Sequence, residues 1–298
     1  MIRENFLDHL EYEKRYSSHT IEAYRNDLNQ FASYLTENYD VINLAEATGI
    51  MVRSWLASLL EHGLSPRSTN RKLSSLKTFY KFLLRNGIVK TSPVRMSTTL
   101  KVPQRLPSFV TEKEMLKSLE DTGDLTFHRL RDLTILHIFY HTGIRVSELI
   151  GLKTQDVDPY NLSIKVIGKR NKERIIPVSG ILLGKINDYL SKRGEIALPG
   201  TNSLIIDDDG LPITGAYISE MVKDALTKAG VTGKKSPHVL RHTFATLMLN
   251  EGADLNAIKE ILGHSSLAST QIYTHTSVEK LKTVYNQAHP WAQKRRKI

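Results

Sequence analysis

Helical spacing of apolar residues dominates this chain and limits what it can fold into. In "HTIEAYRNDLNQFASYL", residues 19–35, apolar side chains return every three or four positions, which places them on one face of a helix. The same pattern predicts helices over 47–60 and 66–85, the second with a Ser-Pro pair at its start and an Asn-Gly pair at its end. Residues 1–90 are therefore predicted to form a helical domain.

Residues 111–298 add further helices and a small amount of β-structure. Thr111 and Glu114 have the spacing of a capping box, which starts a helical region that extends to residue 141. The stretch "NLSIKVIGKRNKERIIPVSG" predicts strands over 162–167 and 174–178 around a basic turn, and "SLIID" predicts one more short strand. Further helices are predicted over 181–192, 214–229, 236–250, 254–262, 266–275 and 277–287. The expected fold class is mainly α, with a small β-hairpin or sheet in the second domain.

The charge distribution changes abruptly between residues 63 and 110. This stretch has no acidic residue and ten lysines and arginines. Its second part, "TSPVRMSTTLKVPQRLPSFV" (91–110), has three prolines and little periodicity, which is typical of a linker. We therefore predict an N-terminal helical DNA-binding domain over 1–90, a basic linker over 91–110 and a second domain over 111–298.

One face of the predicted helix 66–85 is basic, and the opposite face is mostly apolar. On a helical wheel of about 100° per residue the basic residues fall within an arc of roughly 120°. A solvated surface helix normally mixes both signs of charge, whereas a uniformly basic face fits a phosphate backbone. The candidate DNA-binding residues are Arg67, Arg71, Lys77, Lys81 and Arg85.

Composition excludes several classes of protein and site. The formal net charge of +10 favours a polyanionic partner. No apolar run approaches the roughly 18 residues that a membrane span needs, and the N-terminus does not have the pattern of a signal peptide. The absence of cysteine excludes disulfides, thiolate zinc sites and cysteine nucleophiles. We expect a soluble cytoplasmic protein with no membrane contact, no metal site and no cofactor.

Two motifs place cationic side chains at the ends of predicted helices. In "SPHVLRHTFATLML" (236–249), His238 and Arg241 share a face in the first turns, where free backbone N–H groups favour an anion. His238 and His242 also have zinc-helix spacing, but the glutamate that zinc proteases place beside the first histidine is missing. The histidines of "HIFYH" (137–141) share that spacing and are predicted to lie in a mostly buried helix.

A second pair of motifs is weaker by itself. In "HTGIRVSELIGL", Gly143 is predicted to end a helix in the left-handed conformation, and Arg145 begins the next helix. Taken alone, Arg145 and Glu148 are read as a surface ion pair. The turn "GKRNKER" (168–174) is read as a solvated basic turn, with the alternative that its lysine reaches into a groove or donates a proton.

The order of these motifs along the chain is more specific for a protein family than any single motif. Together "TGIRVSEL", "GKRNKER", "HVLRHTFAT" and "LGHSSLASTQIYTH" resemble the tyrosine recombinase family, and most closely its bacterial Xer recombinases. The resemblance covers nearly the whole chain. It implies a helical core-binding domain followed by an α+β catalytic domain.

The resemblance also implies which residues perform the reaction. Arg145 and Arg241 bind the non-bridging oxygens of the scissile phosphate, and Tyr273 attacks it to form a 3′-phosphotyrosyl link. Lys169 protonates the leaving 5′ oxygen; relatives often have glycine where Arg170 stands, so Lys172 is the alternative acid. His238 and His264 assist proton transfer. The implied catalytic residues are Arg145, Lys169, His238, Arg241, His264 and Tyr273.

The implied function is site-specific recombination of double-stranded DNA, without metal or ATP, in the resolution of chromosome or plasmid dimers. The alternatives are a mobile-element integrase or transposase, a DNA-binding protein without catalysis, and a type IB topoisomerase. The implied partners are DNA and a homo- or hetero-tetramer with a related recombinase, with a septal DNA translocase as candidate activator. A C-terminal apolar strip, expected to dock on a neighbouring protomer, consists of Val278, Leu281, Tyr285 and Ala288.

Overall fold

The computed structural model describes residues 2–102, 110–120, 126–168, 171–263 and 275–293, with the backbone alone for 275–280 and 293. The chain divides into two compact units, Met1–Arg105 and Leu106–Ile298. No helix in the described ranges combines the length and the apolar character needed to cross a bilayer.

The first unit is helical. Its α-helices are α1 (Ile2–Asp8), α2 (Ser18–Tyr39), α3 (Gly49–Glu61) and α4 (Pro66–Arg85). A π-helical turn, His9–Glu13, follows α1, and a 3-10 turn, Leu44–Glu46, precedes α3. The predicted bounds of α4 are confirmed at both ends. Ser65 caps its N-terminus by accepting a hydrogen bond from the backbone of Ser68, and Asn86 is its C-cap residue.

Helix α4 separates buried apolar residues from exposed basic ones. Leu76, Phe79 and Leu83 are fully buried and belong to the core of this unit, together with Phe6 and Phe31. The five candidate DNA-binding residues are all exposed: Arg67, Arg71, Lys77, Lys81 and Arg85. The helix therefore has the amphipathic arrangement that its sequence predicts.

The second unit combines helices with one small sheet. Its α-helices are α5 (Glu112–Ser118), α6 (Phe127–Thr142), α7 (Val146–Ile150), α8 (Gly180–Arg193), α9 (Gly215–Lys228), α10 (Pro237–Asn250), α11 (Leu255–Leu262), α12 (His275–Ala288) and α13 (Pro290–Gln293). A 3-10 turn, Thr154–Asp156, follows α7. The helix predicted over 266–275 falls mostly outside the described residues.

The sheet has three antiparallel strands in the order β1 (Val157–Asp158), β2 (Ser163–Ile167) and β3 (Glu173–Pro177). The predicted hairpin is confirmed, and the pairing of Ile167 with Glu173 leaves residues 168–172 as its turn. The strand predicted over "SLIID" is wrong. That segment makes isolated bridges only, because its backbone bonds to scattered partners such as the Tyr189 hydroxyl, which accepts from Ile206 N–H.

The C-terminal helices pack on the chain's own second core. Leu281, Tyr285 and Ala288 are buried there, and the side chain of Val278 lies outside the described part. The burial predicted for "HIFYH" is confirmed, since His137 is 1% and His141 0% exposed. The His141 ring stacks on His289 with centroids 4.7 Å apart, which joins α6 to the C-terminal end of the chain.

Candidate active site

The turn from α6 to α7 is fixed by a glycine. Gly143 ends α6 at φ +60°, which confirms the predicted left-handed conformation. A Cβ atom at this position would lie 2.6 Å from Phe244 Cδ1 and 2.8 Å from Leu262 Cδ2, so only glycine fits. The tight turn places Arg145 immediately before α7, as its N-cap residue, and close to the C-terminal end of α11.

Arg241 joins the ends of α6 and α11. It lies one turn into α10, is 8% exposed, and donates from Nη1 to the Gly143 carbonyl at 2.7 Å. Its Nη2 donates to the Leu262 carbonyl at 2.6 Å. Burial, followed by repulsion from Arg145, lowers the pKa of the Arg241 guanidinium to about 10.

Arg145 reaches the same carbonyl from the other side. Its Nη1 donates to the Leu262 carbonyl at 3.4 Å and its Nη2 to the Gly263 carbonyl at 3.2 Å. The side chain of Arg145 is 35% exposed, whereas Arg241 is buried. The two predicted phosphate ligands are thus neighbours that meet at Leu262, and one of them remains accessible.

Glu148 lies beneath Arg145 and is almost completely buried. Its carboxylate accepts from the Arg145 backbone N–H at 2.8 Å and from Arg145 Nη1 at 2.8 Å. It also accepts a bidentate pair of hydrogen bonds from Arg174 Nη1 and Nη2, at 2.8 and 2.9 Å. The interpretation of Arg145 and Glu148 as a surface ion pair is wrong, because Glu148 is only 3% exposed and bonds to a second arginine from β3.

The charge of Glu148 is maintained by its arginines. Burial acts to raise the pKa of this carboxyl, but the hydrogen bonds and charge of Arg174, followed by the bonds from Arg145, outweigh burial and lower the pKa to about 2. Arg145, Arg174, Arg241 and Glu148 are called the arginine cluster below. Two guanidinium groups, those of Arg145 and Arg174, bond to this carboxylate, and the charge of Glu148 also acts on Arg241.

The sequence places Arg174 beside the basic turn, at the start of the strand predicted over 174–178, but neither interpretation of "GKRNKER" gives it a buried partner. Arg174 is 5% exposed and lies in β3 opposite the buried Val166. The signal was the alternation of the strand, since residues two apart share a face and Ile176 is apolar. A charged residue at an inward-facing position indicates a buried partner.

Lys169, His264 and Tyr273 lie outside the described residues, but two of their neighbours do not. A Cβ atom at Gly168 would lie 3.4 Å from Glu148 Oε1, and one at Gly263 would lie 2.9 Å from Arg174 Nη1. The residues that immediately precede Lys169 and His264 therefore both pack on the ion pair of Arg174 and Glu148.

His238 lies in the first turn of α10, and Lys172 lies in the hairpin turn; both side chains are exposed. The backbone of the turn is closed by a 2.7 Å hydrogen bond from Gly168 N–H to the Lys172 carbonyl. His242, the second histidine of the zinc-spaced pair, is also exposed. No group of three or more His, Cys, Asp or Glu side chains in the described ranges is arranged to hold a metal ion.

Arg71, on the basic face of α4, bonds to a buried carboxylate of α2 that the sequence did not single out. Asp27 of α2 is 1% exposed and accepts from Arg71 Nη1 and Nη2 at 2.5 and 2.8 Å, and from Lys72 Nζ at 2.9 Å. Burial acts to raise the pKa of Asp27, and the bonds from Arg71 and Lys72 outweigh it and lower that pKa. The guanidinium of Arg71, half exposed, is thereby fixed in orientation.

Comparison with protein families gives two matches that together span most of the chain. Residues 4–87 match the model described as phage integrase, N-terminal SAM-like domain, and residues 108–280 match the phage integrase family. The tyrosine recombinase XerC of Listeria innocua serovar 6a is 41% identical over 298 residues, which cover 98% of both chains. XerC of Thermodesulfovibrio yellowstonii is 38% identical over 291 residues, covering 96% of this chain and 95% of the other.

Solved structures show the same architecture. XerH site-specific recombinase, in a post-cleavage complex with palindromic difH substrate, has a TM-score of 0.71 at 25% identity and covers 90% of this chain and 79% of its own. The integrase of transposon Tn1549, in complex with circular intermediate DNA, has a TM-score of 0.71 at 20% identity, covering 94% and 98%. The second likeness concerns the fold alone.

Proposed function

Since the chain belongs to the phage integrase family of tyrosine recombinases, it is a site-specific DNA recombinase, and we propose that Arg145 and Arg241 bind the scissile phosphate of its DNA. The observation that carries this proposal is their shared contact with the Leu262 carbonyl. Two like charges meet there, and repulsion between them contributes to the lowered pKa of Arg241. A phosphate diester bound beside both guanidinium groups relieves that repulsion.

Arginine suits this role for a chemical reason. The transition state of phosphoryl transfer carries negative charge on the equatorial oxygens of phosphorus, which many enzymes stabilise with Mg²⁺. A guanidinium remains protonated at neutral pH and offers a planar fork of N–H donors that matches two phosphate oxygens. In this chain Glu148 orients the guanidinium of Arg145, and two backbone carbonyls orient that of Arg241.

The remaining steps follow from the matched motifs. Tyr273 attacks phosphorus, the bond from phosphorus to the 5′ oxygen breaks, and Lys169 gives its proton to that oxygen. His238 and His264 accept and return the phenolic proton and contact the phosphate. The phosphodiester is exchanged for a phosphotyrosyl ester rather than hydrolysed, so the reverse attack by a 5′ hydroxyl rejoins the strand without ATP. The packing of Gly168 and Gly263 on one ion pair supports this arrangement.

A nicked suicide substrate tests this proposal. Cleavage releases a short fragment that carries the 5′ hydroxyl, and its loss prevents rejoining and traps the covalent adduct. We expect wild-type protein to form a 3′-phosphotyrosyl adduct and Tyr273→Phe to form none. Tyr160→Phe is the matched control, since Tyr160 is an exposed tyrosine of the same unit and should react normally. An adduct in Tyr273→Phe would refute the assignment, and relaxation of supercoils without site preference would indicate topoisomerase activity instead.

We also propose that the exposed basic face of α4 contacts the DNA backbone. Five cationic side chains project from this face, and Asp27 fixes the orientation of one of them. Contacts to phosphate set affinity and register rather than sequence preference. The first unit is accordingly a DNA-binding domain, as its match to an N-terminal domain of phage integrases supports.

For the biological role we propose resolution of chromosome or plasmid dimers at cell division, in the cytoplasm of a bacterium. The support is the full-length similarity to proteins named XerC. The enzyme would act as a tetramer on two DNA sites, alone or with a related recombinase, with a septal DNA translocase as the candidate activator. Integration or excision of a mobile element is the alternative, and the fold shared with the Tn1549 integrase allows it.

A further inference from the structure

All three guanidinium nitrogens of Arg174 donate hydrogen bonds inside the protein. Nε donates to the Ile261 carbonyl at 2.7 Å, while Nη1 and Nη2 donate to the two oxygens of Glu148 at 2.8 and 2.9 Å. The side chain is 5% exposed, so it is screened from solvent. A bidentate, charge-assisted pair of this kind fixes the plane of both partners.

These bonds connect three segments that are far apart in sequence. Through Glu148, Arg174 is linked to Arg145 at the start of α7. Through the Ile261 carbonyl it holds the C-terminal end of α11, two residues before Gly263. Arg174 itself lies in β3, which pairs with β2, and Lys169 falls between these two strands in sequence.

The two glycines beside the ion pair leave little freedom in this arrangement. Gly263 has φ +65°, and a Cβ atom there would lie 2.9 to 3.2 Å from three atoms of the Arg174 guanidinium. A Cβ atom at Gly168 would lie 3.6 Å from Arg174 Nη1. The backbone at Gly168 and at Gly263 is therefore in contact with the guanidinium of Arg174. If the guanidinium moves, these two glycines move with it, and they directly precede Lys169 and His264 in sequence.

We propose that Arg174 is a positioning residue of the recombination reaction, which holds Arg145 through Glu148 and sets the starting points of the segments that carry Lys169 and His264. This inference rests on the proposed function. Arg174 contacts no substrate; its role is to keep three phosphate-binding segments in register. A displacement of about 1 Å in such groups can cost as much as 10²-fold in rate.

The test compares Arg174→Lys and Arg174→Met with Arg193→Lys in the full-length protein. Arg193 is a matched control, because it is also a buried arginine of this unit and, among the described residues, its hydrogen bonds go to the Thr201 and Ser203 carbonyls. Each variant is assayed for thermal midpoint, DNA affinity and single-turnover rate of adduct formation on the nicked substrate. We expect Arg174→Lys to slow cleavage by about 10- to 100-fold with nearly unchanged DNA affinity, and Arg193→Lys to cleave at the wild-type rate.

Two further measurements separate positioning from simple loss of stability. In Arg174→Met, Glu148 loses its principal cation, so the cleavage rate should fall with decreasing pH in a range where the wild-type rate is flat. In addition, Arg174→Lys combined with Arg145→Lys should cost less than the two single changes together, because both act on the same phosphate contact.

The outcomes distinguish this inference from the proposed function. Wild-type cleavage rates and pH profile in folded Arg174→Lys or Arg174→Met would overturn the positioning role, while Tyr273→Phe would still abolish the adduct. If Tyr273→Phe forms the adduct, the proposed function fails whatever Arg174 does. Should Arg174→Met unfold, Arg174→Lys keeps the positive charge beside Glu148 and still decides the question, with additive effects of the double variant counting against the proposal.

Discussion

At the residue scale, the arrangement around Leu262 depends on the number of donors in a guanidinium group. Arg241 bonds two carbonyls that belong to different segments, and Arg145 bonds Glu148 and two carbonyls at once. A lysine ammonium has its three donors on one atom and cannot span the same partners. The geometry therefore requires arginine, and positive charge alone is not sufficient.

Arg145→Lys tests that requirement. We expect DNA affinity to stay within a few-fold of wild type, because other cations supply most of the phosphate contacts. The single-turnover cleavage rate should fall by about 10²- to 10³-fold, as for loss of an oxyanion-hole donor. Arg129→Lys is the control, since Arg129 bonds the Glu120 carbonyl away from the arginine cluster. Equal cleavage rates for wild type and Arg145→Lys would contradict the phosphate-binding role.

At the element scale, helix α4 divides one sequence between two environments. Its apolar residues form the core of the first unit, and its basic residues stay in solvent. Lys72 is the exception among its cations, because it is 7% exposed and bonds Asp27 and Gln30. Lys72 therefore stabilises the packing of α4 on α2, and the outward cations stay exposed to solvent.

Neutralising two outward cations should change the salt dependence of DNA binding. For Arg67→Gln combined with Lys77→Gln we expect weaker binding and a plot of log K against log salt that is shallower by about 1 to 2, because fewer counterions are released. Lys192→Gln is the control; Lys192 lies on α8 of the other unit and pairs with Glu195, just beyond the end of that helix. An unchanged slope in the double variant would mean that this face does not contact DNA.

The C-terminal helices are held by neutral imidazoles. Burial, with the charge of Lys185 as a second cause, lowers the pKa of His137 to about 4, and burial lowers that of His289 to about 4. The pKa of His141 lies well below its ordinary value because of burial and the neighbouring His289 and His137. Within the described part of the chain, His137 Nδ1 and His141 Nε2 have no hydrogen-bond partner, and Tyr285 stacks on His289 with centroids 4.9 Å apart. Protonation of any of these rings is unfavourable in the folded state.

Stability should therefore fall as the pH decreases from 6.5 toward 4. In that range the unfolded chain binds protons that the folded chain rejects, so each of these histidines costs about 1 kcal/mol between pH 7 and 5.5. His289→Phe keeps the ring stacking and should lose less thermal stability on acidification than wild type. His19→Phe, which removes an exposed imidazole, should behave like wild type. A thermal midpoint that does not depend on pH in wild type would contradict this account.

At the scale of the whole molecule, the positive charge of the reaction comes from the chain itself. Lysines and arginines number 41 against 31 acidic residues, and the catalytic motifs contain no group of carboxylates that would bind Mg²⁺. Arg145 and Arg174, which bond to Glu148, and Arg241 beside Arg145 concentrate this charge in the second unit. If these arginines supply the positive charge that phosphoryl transfer needs, we expect no step of the reaction to require a divalent cation.

Adduct formation on the nicked substrate should accordingly be unaffected by an excess of EDTA and by the absence of ATP. The measurement is the single-turnover rate with and without chelator, with a Mg²⁺-dependent nuclease as a positive control for chelation. Strong inhibition by EDTA that zinc reverses would instead favour the metal-binding interpretation of His238 and His242.

The sequence by itself determined the features that depend on neighbouring residues. The bounds of α4, its basic face, the hairpin of β2 and β3 and the left-handed Gly143 were all predicted, because helical and strand periodicity and capping are local properties. The order of the four motifs also identified the family, because a motif consists of residue types at given positions along the chain and can be read from the sequence directly.

The tertiary structure alone decided how the candidate site is held together. Glu148 and Arg145 are three residues apart and have the spacing of a surface pair, yet Glu148 is buried and also bonds Arg174 from β3, while Arg145 stays partly exposed. Arg174 in turn bonds residue 261, and Arg241 bonds residue 143. Contacts between residues 26 to 98 positions apart leave no periodic signal, because they arise when separate elements pack and exclude water between them.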